Sequence, residues 1–192
     1  MALEFELKYA ATEAAQAAIR ESLGDTFRVY KMQTTYYDTP DRALAKENIT
    51  LRRRLENEIS VCTLKAPAKV GRMEFELECG TIEDAVPELC KLAGRPDLAA
   101  LLASGVVPVC GARFTRQAFD LTLEGTKAEL ALDAGCLLGG GKEQPLCEVE
   151  VELKEGSAGP VVTYAAVLAA KFNLQPEKKS KFARALALAK GE

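Results

Sequence analysis

The stretch Glu4-Phe5-Glu6-Leu7-Lys8 alternates charged and hydrophobic side chains at every position. Near the other end of the chain, residues 148–152 repeat the pattern as Glu-Val-Glu-Val-Glu. A period of two predicts β-strands that carry their charges on one face and their apolar groups on the other. Rows of carboxylates facing solvent would be unfavourable, because like charges repel across neighbouring strands. We therefore expect these strands to line a polar interior that collects cations.

The bulk composition is that of an ordinary globular protein. The chain has 192 residues, a net charge of -3, 48% hydrophobic and 28% charged residues. With no linker-like segment in the sequence, we expect one domain over residues 1–192. The acidic balance argues against nucleic-acid binding through bulk charge. The longest nearly apolar stretch, 98–110, is too short to cross a bilayer, so we expect no membrane partner.

The cysteine and histidine content limits the chemistry. Six cysteines are scattered without a Cys-x-x-Cys pair, and the sequence has no histidine that would complete a zinc site. Scattered thiols favour reduced cysteines in a cytoplasmic protein. Any proton transfer must use a carboxylate, Lys, Tyr, Cys or a metal-bound water.

The order of elements predicts the fold class. Strands are predicted over 3–9, 27–38, 49–55, 59–65, 72–78, 106–109, 113–123, 127–133 and 146–153. Helices are predicted over 12–23, 81–93, 96–103, 160–173 and 177–190. About eight strands, mostly connected as hairpins, predict an α+β fold: an eight-stranded antiparallel β-barrel with helices packed outside. Barrels of this size can hold a ligand.

The acidic rows are candidate metal ligands. Glu4 and Glu6 lie about 7 Å apart on one face of a strand, so both can approach one cation. Glu148 and Glu150 repeat this geometry, and Asp133 has the matching parity on the preceding strand. Oxygen ligands without Cys or His favour Mg²⁺ or Mn²⁺. The alternative is an exposed edge strand whose apolar face packs on the core.

Basic residues on several of the predicted strands supply the opposite charge. Arg52 and Arg54 share one face of their strand, Lys65 ends the partner strand, and Arg116 lies on a later one. Guanidinium and ammonium groups spread over several strands match a polyanion with many phosphate oxygens. Metal-binding acids and phosphate-binding bases within one barrel predict a phosphoryl-transfer or nucleotide site, where catalysis rests on positioning and charge neutralisation.

These motifs together resemble the CYTH domain family, also called triphosphate tunnel metalloenzymes. The hallmark Glu-x-Glu-x-Lys of that family is matched by residues 4–8. Further matching segments, in chain order, are 35–40, 51–54, 63–65, 72–76, 114–116, 131–133, 148–150 and 180–181. The resemblance covers almost the whole chain. It implies an eight-stranded antiparallel tunnel that binds a linear triphosphate together with a divalent metal, Mg²⁺ or Mn²⁺.

The resemblance also implies individual roles. The implied metal ligands are Glu4, Glu6, Glu148 and Glu150, with Asp133 in support. The implied phosphate-binding residues are Lys8, Arg52, Arg54, Lys65, Arg116 and Lys181. In thiamine-triphosphatase-like members a Lys and a Tyr form a proton-transfer pair, which implies Lys8 and Tyr36 as catalytic residues. A tyrosine beside an ammonium and metals can have a lowered pKa, but activation of water by the metal alone is equally open.

Three functions follow as expectations. The first is a metal-dependent hydrolase that converts inorganic triphosphate to pyrophosphate and phosphate. The interior is expected to have no aromatic platform for a base, which favours a small polyanion over a nucleotide. The alternatives are a class IV-type adenylate cyclase and a non-catalytic binder of polyphosphate or nucleotides. The sequence leaves open whether the chain forms a homodimer. Strand parity also leaves open whether Arg113 or Arg116 faces the interior, although the Phe-Thr-Arg match at residues 114–116 favours Arg116.

Overall fold

The computed structural model describes residues 2–3, 5–68 and 71–192. Its strands are β1 Ala2–Leu3, β2 Glu6–Ala10, β3 Arg28–Asp38, β4 Thr50–Glu56, β5 Ile59–Pro67, β6 Arg72–Glu78, β7 Val107–Leu123, β8 Thr126–Gly139, β9 Lys142–Glu155 and β10 Gln175–Pro176. Its helices are α1 Glu13–Leu23, α2 Ala43–Lys46, α3 Ile82–Leu92, α4 Pro96–Leu101, α5 Ala158–Phe172 and α6 Lys181–Lys190. Within the described ranges, no helix has the length and apolar composition needed to cross a membrane.

All strands belong to one antiparallel sheet, in the order β1-β6-β5-β4-β3-β7-β8-β9-β2-β10. β1 pairs with β6 near one end of this order, and β2 pairs with β9 near the other. Since Leu3 and Glu6 are only three residues apart, roughly 11 Å at most, the sheet must curl until its two ends approach. The antiparallel fold is confirmed, and β2–β9 are its eight long strands. The described ladders leave the curled sheet open instead of closing it into a barrel.

Several elements run further than the sequence pattern predicts. β7 is continuous across the gap predicted at 110–112, and the register shift opposite it falls between Tyr36 and Tyr37. Gly111 permits this pairing, because a Cβ there would lie 2.6 Å from the carbonyl oxygen of Thr34. α6 begins at Lys181 instead of 177, since Ser180 is its N-cap and accepts a hydrogen bond from the N–H of Ala183.

Two hydrophobic layers cover the outer face of the sheet. α1 and α5 pack on β7, β8, β9 and β2, where Ile19 and Val161 contact a buried cluster that contains Leu130 and Val149. α3 and α4 cover β5 and β6 through a second cluster that contains Leu89. These apolar layers alternate along the strands with the charged side chains, so the charges face inward.

Helix α6 packs differently from the expectation that helices lie outside. Ala185 of α6 belongs to a cluster with Met32, Phe114 and Leu137. Met32 and Phe114 also line the cavity inside the curled sheet. α6 therefore lies against the inward-facing side of the sheet, and its first turn brings Lys181 into the cavity.

The Tyr-Tyr-Asp-Thr-Pro segment includes a buried structural carboxylate, Asp38. Its Oδ1 accepts hydrogen bonds from the backbone N–H of Thr39 (2.8 Å) and Leu44 (2.9 Å), and its Oδ2 from that of Ala45 (3.2 Å). Asp38 is 1% exposed. The carboxylate therefore anchors the start of α2 to the end of β3.

Replacing Asp38 with alanine is expected to lower the free energy of unfolding by about 3 kcal/mol, because it leaves buried N–H groups without acceptors. Urea denaturation measures this loss. The control is Asp97→Ala, which removes an exposed carboxylate paired with Arg95 and should cost much less, because solvent screens exposed ion pairs. Equal losses for the two variants would contradict the anchoring role of Asp38.

Candidate active site

The curled sheet encloses a cavity of about 400 Å³ to which all eight long strands contribute side chains. The six predicted phosphate-binding residues all line it: Lys8, Arg52, Arg54, Lys65, Arg116 and Lys181. Glu6, Glu150 and Tyr36 line the same cavity. The structure therefore places cationic and anionic side chains from opposite parts of the sequence in one enclosed space.

Strand register explains why the acids come together. Asp133 on β8 is the direct partner of Glu148 on β9, and Arg116 on β7 is the partner of Asp133. Lys8 on β2 is the partner of Glu150. Directly opposed residues project from the same face of a sheet. Neighbouring strands therefore place these side chains side by side on the cavity face.

Asp133, Glu148 and Glu150 form a buried carboxylate cluster. Asp133 and Glu148 are fully buried and Glu150 is 8% exposed. One carboxylate oxygen from each lies within 4.8 Å of the other two. The Nζ of Lys181 lies 2.8 Å from Asp133 Oδ2, 2.6 Å from Glu148 Oε2 and 2.6 Å from Glu150 Oε1. The ammonium therefore lies at the centre of the cluster.

Two guanidinium groups complete the charge balance of this cluster. Arg116 donates to both oxygens of Asp133, through Nε at 2.8 Å and Nη2 at 2.7 Å, and also contacts Glu150. Arg184, on α6, pairs with Glu148. Burial raises the pKa of Glu150, but Lys181 and then Arg116 outweigh burial and hold that pKa well below its ordinary value. The three carboxylates are therefore matched by three cationic side chains, Lys181, Arg116 and Arg184.

The donor set of the cluster fits a hard divalent cation. Three carboxylate oxygens converge, and Mg²⁺ and Mn²⁺ prefer oxygen ligands. The buried Oε2 of Glu148 accepts no hydrogen bond from the described residues, although the Lys181 ammonium is close. Glu6 lies on the same cavity, 3.7 Å from Lys8 Nζ, but among the described residues it is outside this three-carboxylate group. Glu4, the remaining predicted ligand, lies outside the described residues.

The other side of the cavity carries an excess of cations. Arg52 and Lys65 share Glu74, at 3.1 Å and 3.3 Å, and Arg54 pairs with Glu56 at 3.0 Å. Burial lowers the pKa of Arg54, and the positive charges of Arg52 and Arg116 lower it further. A cation destabilised by its cationic neighbours indicates a site for an anion.

Two further arginines have different environments. Arg113 has a side chain that is 61% exposed and pairs with Glu143, whereas that of Arg116 is 13% exposed and lines the cavity. The inward-facing residue is therefore Arg116, as the Phe-Thr-Arg motif favoured.

The Nη2 of Arg72 donates to the carbonyl oxygens of Asn48 and Lys65, at 3.0 Å and 3.1 Å. Arg72 therefore braces the backbone as well as bordering the cavity.

Tyr36 differs from the lowered pKa expected for a catalytic tyrosine. Burial raises its pKa above 10.0, although Arg52, Arg54 and Lys181 act in the opposite direction. Its ring packs against Phe182 with centroids 5.1 Å apart. Desolvation disfavours the phenolate more than the nearby cations favour it. The phenol is therefore neutral at physiological pH and is suited to donate a hydrogen bond.

The raised pKa of Tyr36 predicts a pH dependence. In the folded protein Tyr36 should stay protonated above pH 10, where the unfolded chain ionises, so its contribution to stability is lost as pH rises through the folded value. Ultraviolet difference titration compares the phenolate absorbance of the wild type with that of Tyr36→Phe as the pH rises. We expect the two proteins to give the same signal up to pH 10. A phenolate signal below pH 10 that is present in the wild type and absent from Tyr36→Phe would contradict the raised pKa.

The expectation that the interior has no aromatic platform is wrong. Tyr30, Tyr36, Phe114 and Phe182 line the cavity. The Phe114 ring centroid lies 5.3 Å from Lys181 Nζ and 5.9 Å from Arg116 Cζ, close enough for cation–π attraction. Strand parity predicts two of these rings on the inward face. Tyr30 has the same parity as Tyr36 on β3, and Phe114 has the same parity as Arg116 on β7. The sequence pattern indicates Arg184 only as basic charge on the last helix; the structure pairs it with Glu148, one helical turn after Lys181.

Close packing at Gly139 fixes α6 on the sheet. A Cβ at this position would overlap the carbonyl oxygen of Ala185 and lie 2.7 Å from the backbone nitrogen of Ala189. Both atoms belong to the backbone of α6, which cannot yield without moving the helix. The position of Lys181 and Arg184 therefore depends on a glycine in β8.

Gly139→Ala is expected to displace α6, and Lys181 with it, and to lower the free energy of unfolding by about 1–3 kcal/mol. Urea denaturation measures the loss of stability, and hydrogen exchange of the α6 amides reports the displacement of the helix. Gly159→Ala is the control, since an added Cβ there meets nothing within 4 Å. A Gly139→Ala protein with wild-type stability and wild-type amide protection in α6 would rule out this packing.

Comparisons with known proteins agree with this architecture. A model of the CYTH domain matches residues 2–186. An inorganic triphosphatase from Haemophilus influenzae is 34% identical over 139 residues, which are 70% of this chain but only 39% of that protein. The chain therefore spans less than half the length of this curated relative.

Two solved structures share the fold at low identity. HpAC1 from Hippeastrum, a proposed adenylyl cyclase described as having a dominant triphosphatase activity, has a TM-score of 0.66 and 18% identity, covering 99% of this chain and 97% of that chain. The PH1819 protein from Pyrococcus horikoshii OT3 has a TM-score of 0.63 and 22% identity, with coverages of 98% and 99%. Because the family model matches nearly the whole sequence, this chain belongs to the CYTH domain family.

Proposed function

We propose that the protein is a divalent-metal-dependent triphosphatase that hydrolyses inorganic triphosphate to pyrophosphate and orthophosphate. The observation that carries this proposal is a buried carboxylate cluster whose member Glu150 lines a cavity with an excess of cationic side chains. The name of the Haemophilus influenzae relative, inorganic triphosphatase, supports the same substrate. We further propose that residues 1–192 act as one cytoplasmic domain, in line with the six free cysteines.

The proposed metal ligands are Asp133, Glu148 and Glu150, with Glu6 and Glu4 from the first motif. Bound there, Mg²⁺ or Mn²⁺ would neutralise phosphate charge and favour a nucleophilic water. Binding at the cluster requires Lys181 to yield its central position, because its ammonium contacts all three carboxylates. Lys181 then becomes available to the substrate.

The remaining cationic residues hold the phosphate chain. Arg52, Arg54, Lys65 and Arg116 come from the three strands β4, β5 and β7, so their donors surround a linear polyanion instead of binding a single phosphate. Water adds its oxygen to the terminal phosphorus, the bridging P–O bond breaks, and pyrophosphate leaves with that bond's electron pair. We propose that Lys8 and Tyr36 manage the protons, with the neutral Tyr36 hydroxyl donating to a phosphate oxygen.

A phosphate-release panel tests the proposed substrate. Tripolyphosphate, pyrophosphate, ATP and thiamine triphosphate are compared, each with Mg²⁺ and with Mn²⁺. We expect tripolyphosphate to have the highest kcat/KM. A higher value for thiamine triphosphate or ATP would replace inorganic triphosphate as the substrate, and tight tripolyphosphate binding without turnover would instead identify a binder.

The aromatic lining favours a second candidate, a class IV-type adenylate cyclase. Tyr30, Phe114 and Phe182 could stack on an adenine ring in the cavity. Incubation with ATP and Mg²⁺ distinguishes the two reactions, because a cyclase forms cyclic AMP and pyrophosphate. Release of orthophosphate without cyclic AMP would exclude the cyclase.

A further inference from the structure

Gln16 is a buried polar side chain that reaches the acidic cluster from the opposite side of the sheet. It lies on α1 and is 9% exposed. Its Nε2 donates to the carbonyl oxygen of Asp133 at 3.0 Å and to that of Glu148 at 2.7 Å. These two residues are register partners on β8 and β9. One amide group therefore links the main chains that carry two of the three clustered carboxylates.

The chain places Gln16 there by a short connection from β2. Ala10 of β2 is the register partner of Glu148, and the N–H of Ala11 donates to the carbonyl oxygen of Cys147 at 3.0 Å. Thr12 caps α1, and the N–H of Gln16 donates to the carbonyl oxygen of Thr12. Gln16 is thus one helical turn from the start of α1, directly behind the cluster.

The surroundings of Gln16 are otherwise hydrophobic. Ile19, one turn further along α1, belongs to the buried cluster that also contains Leu132 and Val149. An amide in such a layer is costly unless both of its donor hydrogens find acceptors. Its two hydrogen bonds to the carbonyl oxygens of Asp133 and Glu148 meet that requirement and fix the two strands at the point where these carboxylates converge with Glu150.

We propose that Gln16 is a positioning residue for divalent-metal binding. By tying together the carbonyl oxygens of Asp133 and Glu148, it holds their carboxylates at the spacing that a shared cation requires. This inference rests on the proposed function, since it assigns a cation to the carboxylate cluster. It extends the site through the sheet to a residue that does not line the cavity.

The test measures Mn²⁺ binding to the full chain by the electron paramagnetic resonance signal of free Mn²⁺. Gln16→Met keeps the length of the side chain but removes the donor. We expect its Mn²⁺ affinity to fall by roughly 10-fold or more, and we expect excess Mn²⁺ to restore kcat for tripolyphosphate. Gln16→Asn keeps an amide, but its shorter side chain places that amide further from the two carbonyl oxygens. It should also weaken Mn²⁺ binding, and it replaces Gln16→Met in the test if the methionine variant fails to fold.

Ile19→Val on the same helix is the matched control, since it loosens the packing of α1 without touching either carbonyl group. It should lower the melting temperature while leaving Mn²⁺ affinity unchanged. Wild-type affinity in both Gln16 variants, or equal weakening in Ile19→Val, would overturn the positioning role while leaving the proposed function intact. A wild-type protein that fails to bind Mn²⁺ would overturn the proposed function and this role together.

Discussion

Replacement of Glu150 by glutamine is expected to reduce tripolyphosphate turnover by at least about 100-fold, more than the loss typical of residues that only support a metal ligand. The variant keeps the shape of the side chain but removes a charged oxygen donor from the carboxylate cluster. It also leaves Lys181 and Arg116 with one carboxylate fewer. The measurement is kcat at saturating tripolyphosphate during a Mn²⁺ titration, with Mn²⁺ affinity determined separately.

A control variant separates the cluster from a general loss of acidic charge. The control is Glu143→Gln. Glu143 lies on β9, like Glu150, but its side chain is 60% exposed and pairs with Arg113 away from the cavity. It should retain wild-type kinetics. Because breaking a buried ion pair can cost about 3–5 kcal/mol, folding of Glu150→Gln must be verified by circular dichroism at the assay temperature. A folded Glu150→Gln protein with wild-type turnover would remove Glu150 from the metal site.

Replacement of Arg54 by methionine is expected to change stability and substrate binding in opposite directions. Burial and the neighbouring Arg52 and Arg116 disfavour the charge of Arg54 in the free protein, so its removal should raise the melting temperature. Charge-assisted hydrogen bonds contribute about 1.5–3 kcal/mol each, so the affinity for tripolyphosphate should fall roughly 10- to 100-fold. Thermal unfolding and calorimetric titration measure the two effects.

Arg113→Met is the matched control for Arg54→Met, because it removes an exposed guanidinium that lies away from the cavity. Neither its melting temperature nor its tripolyphosphate affinity should change appreciably. If Arg54→Met destabilised the free protein and bound tripolyphosphate normally, Arg54 would be a structural ion-pair partner of Glu56 instead of a substrate ligand.

The alternation of residues along single strands predicted which side chains face the cavity. Lys8, Arg52 and Arg54 all lie where strand parity placed them, because burying an apolar face on helices forces the charged face inward. For Arg116 parity left two alternatives, and the Phe-Thr-Arg motif favoured the correct one. Parity also carried enough information to identify Tyr30 and Phe114. Uncharged residues interrupt the charged rows on the inward face, so the charge pattern alone does not mark these two rings.

Contacts between distant elements could not be predicted from strand parity. The meeting of Lys181 with Asp133 depends on α6 packing inside the sheet, which a helical pattern of Ala and Leu does not distinguish from packing outside. The link from Gln16 to Glu148 depends on register between β2 and β9. The pKa of Tyr36 depends on the extent of burial, which reverses the sign expected from its cationic neighbours.

The most direct test of the proposed activity is the product balance of tripolyphosphate hydrolysis by the wild-type protein. With Mg²⁺ or Mn²⁺ present, we expect one orthophosphate and one pyrophosphate for each tripolyphosphate consumed, and we expect a chelator to stop the reaction. Tripolyphosphate that stays intact with either ion, or that is hydrolysed equally well in the presence of the chelator, would contradict a metal-dependent triphosphatase.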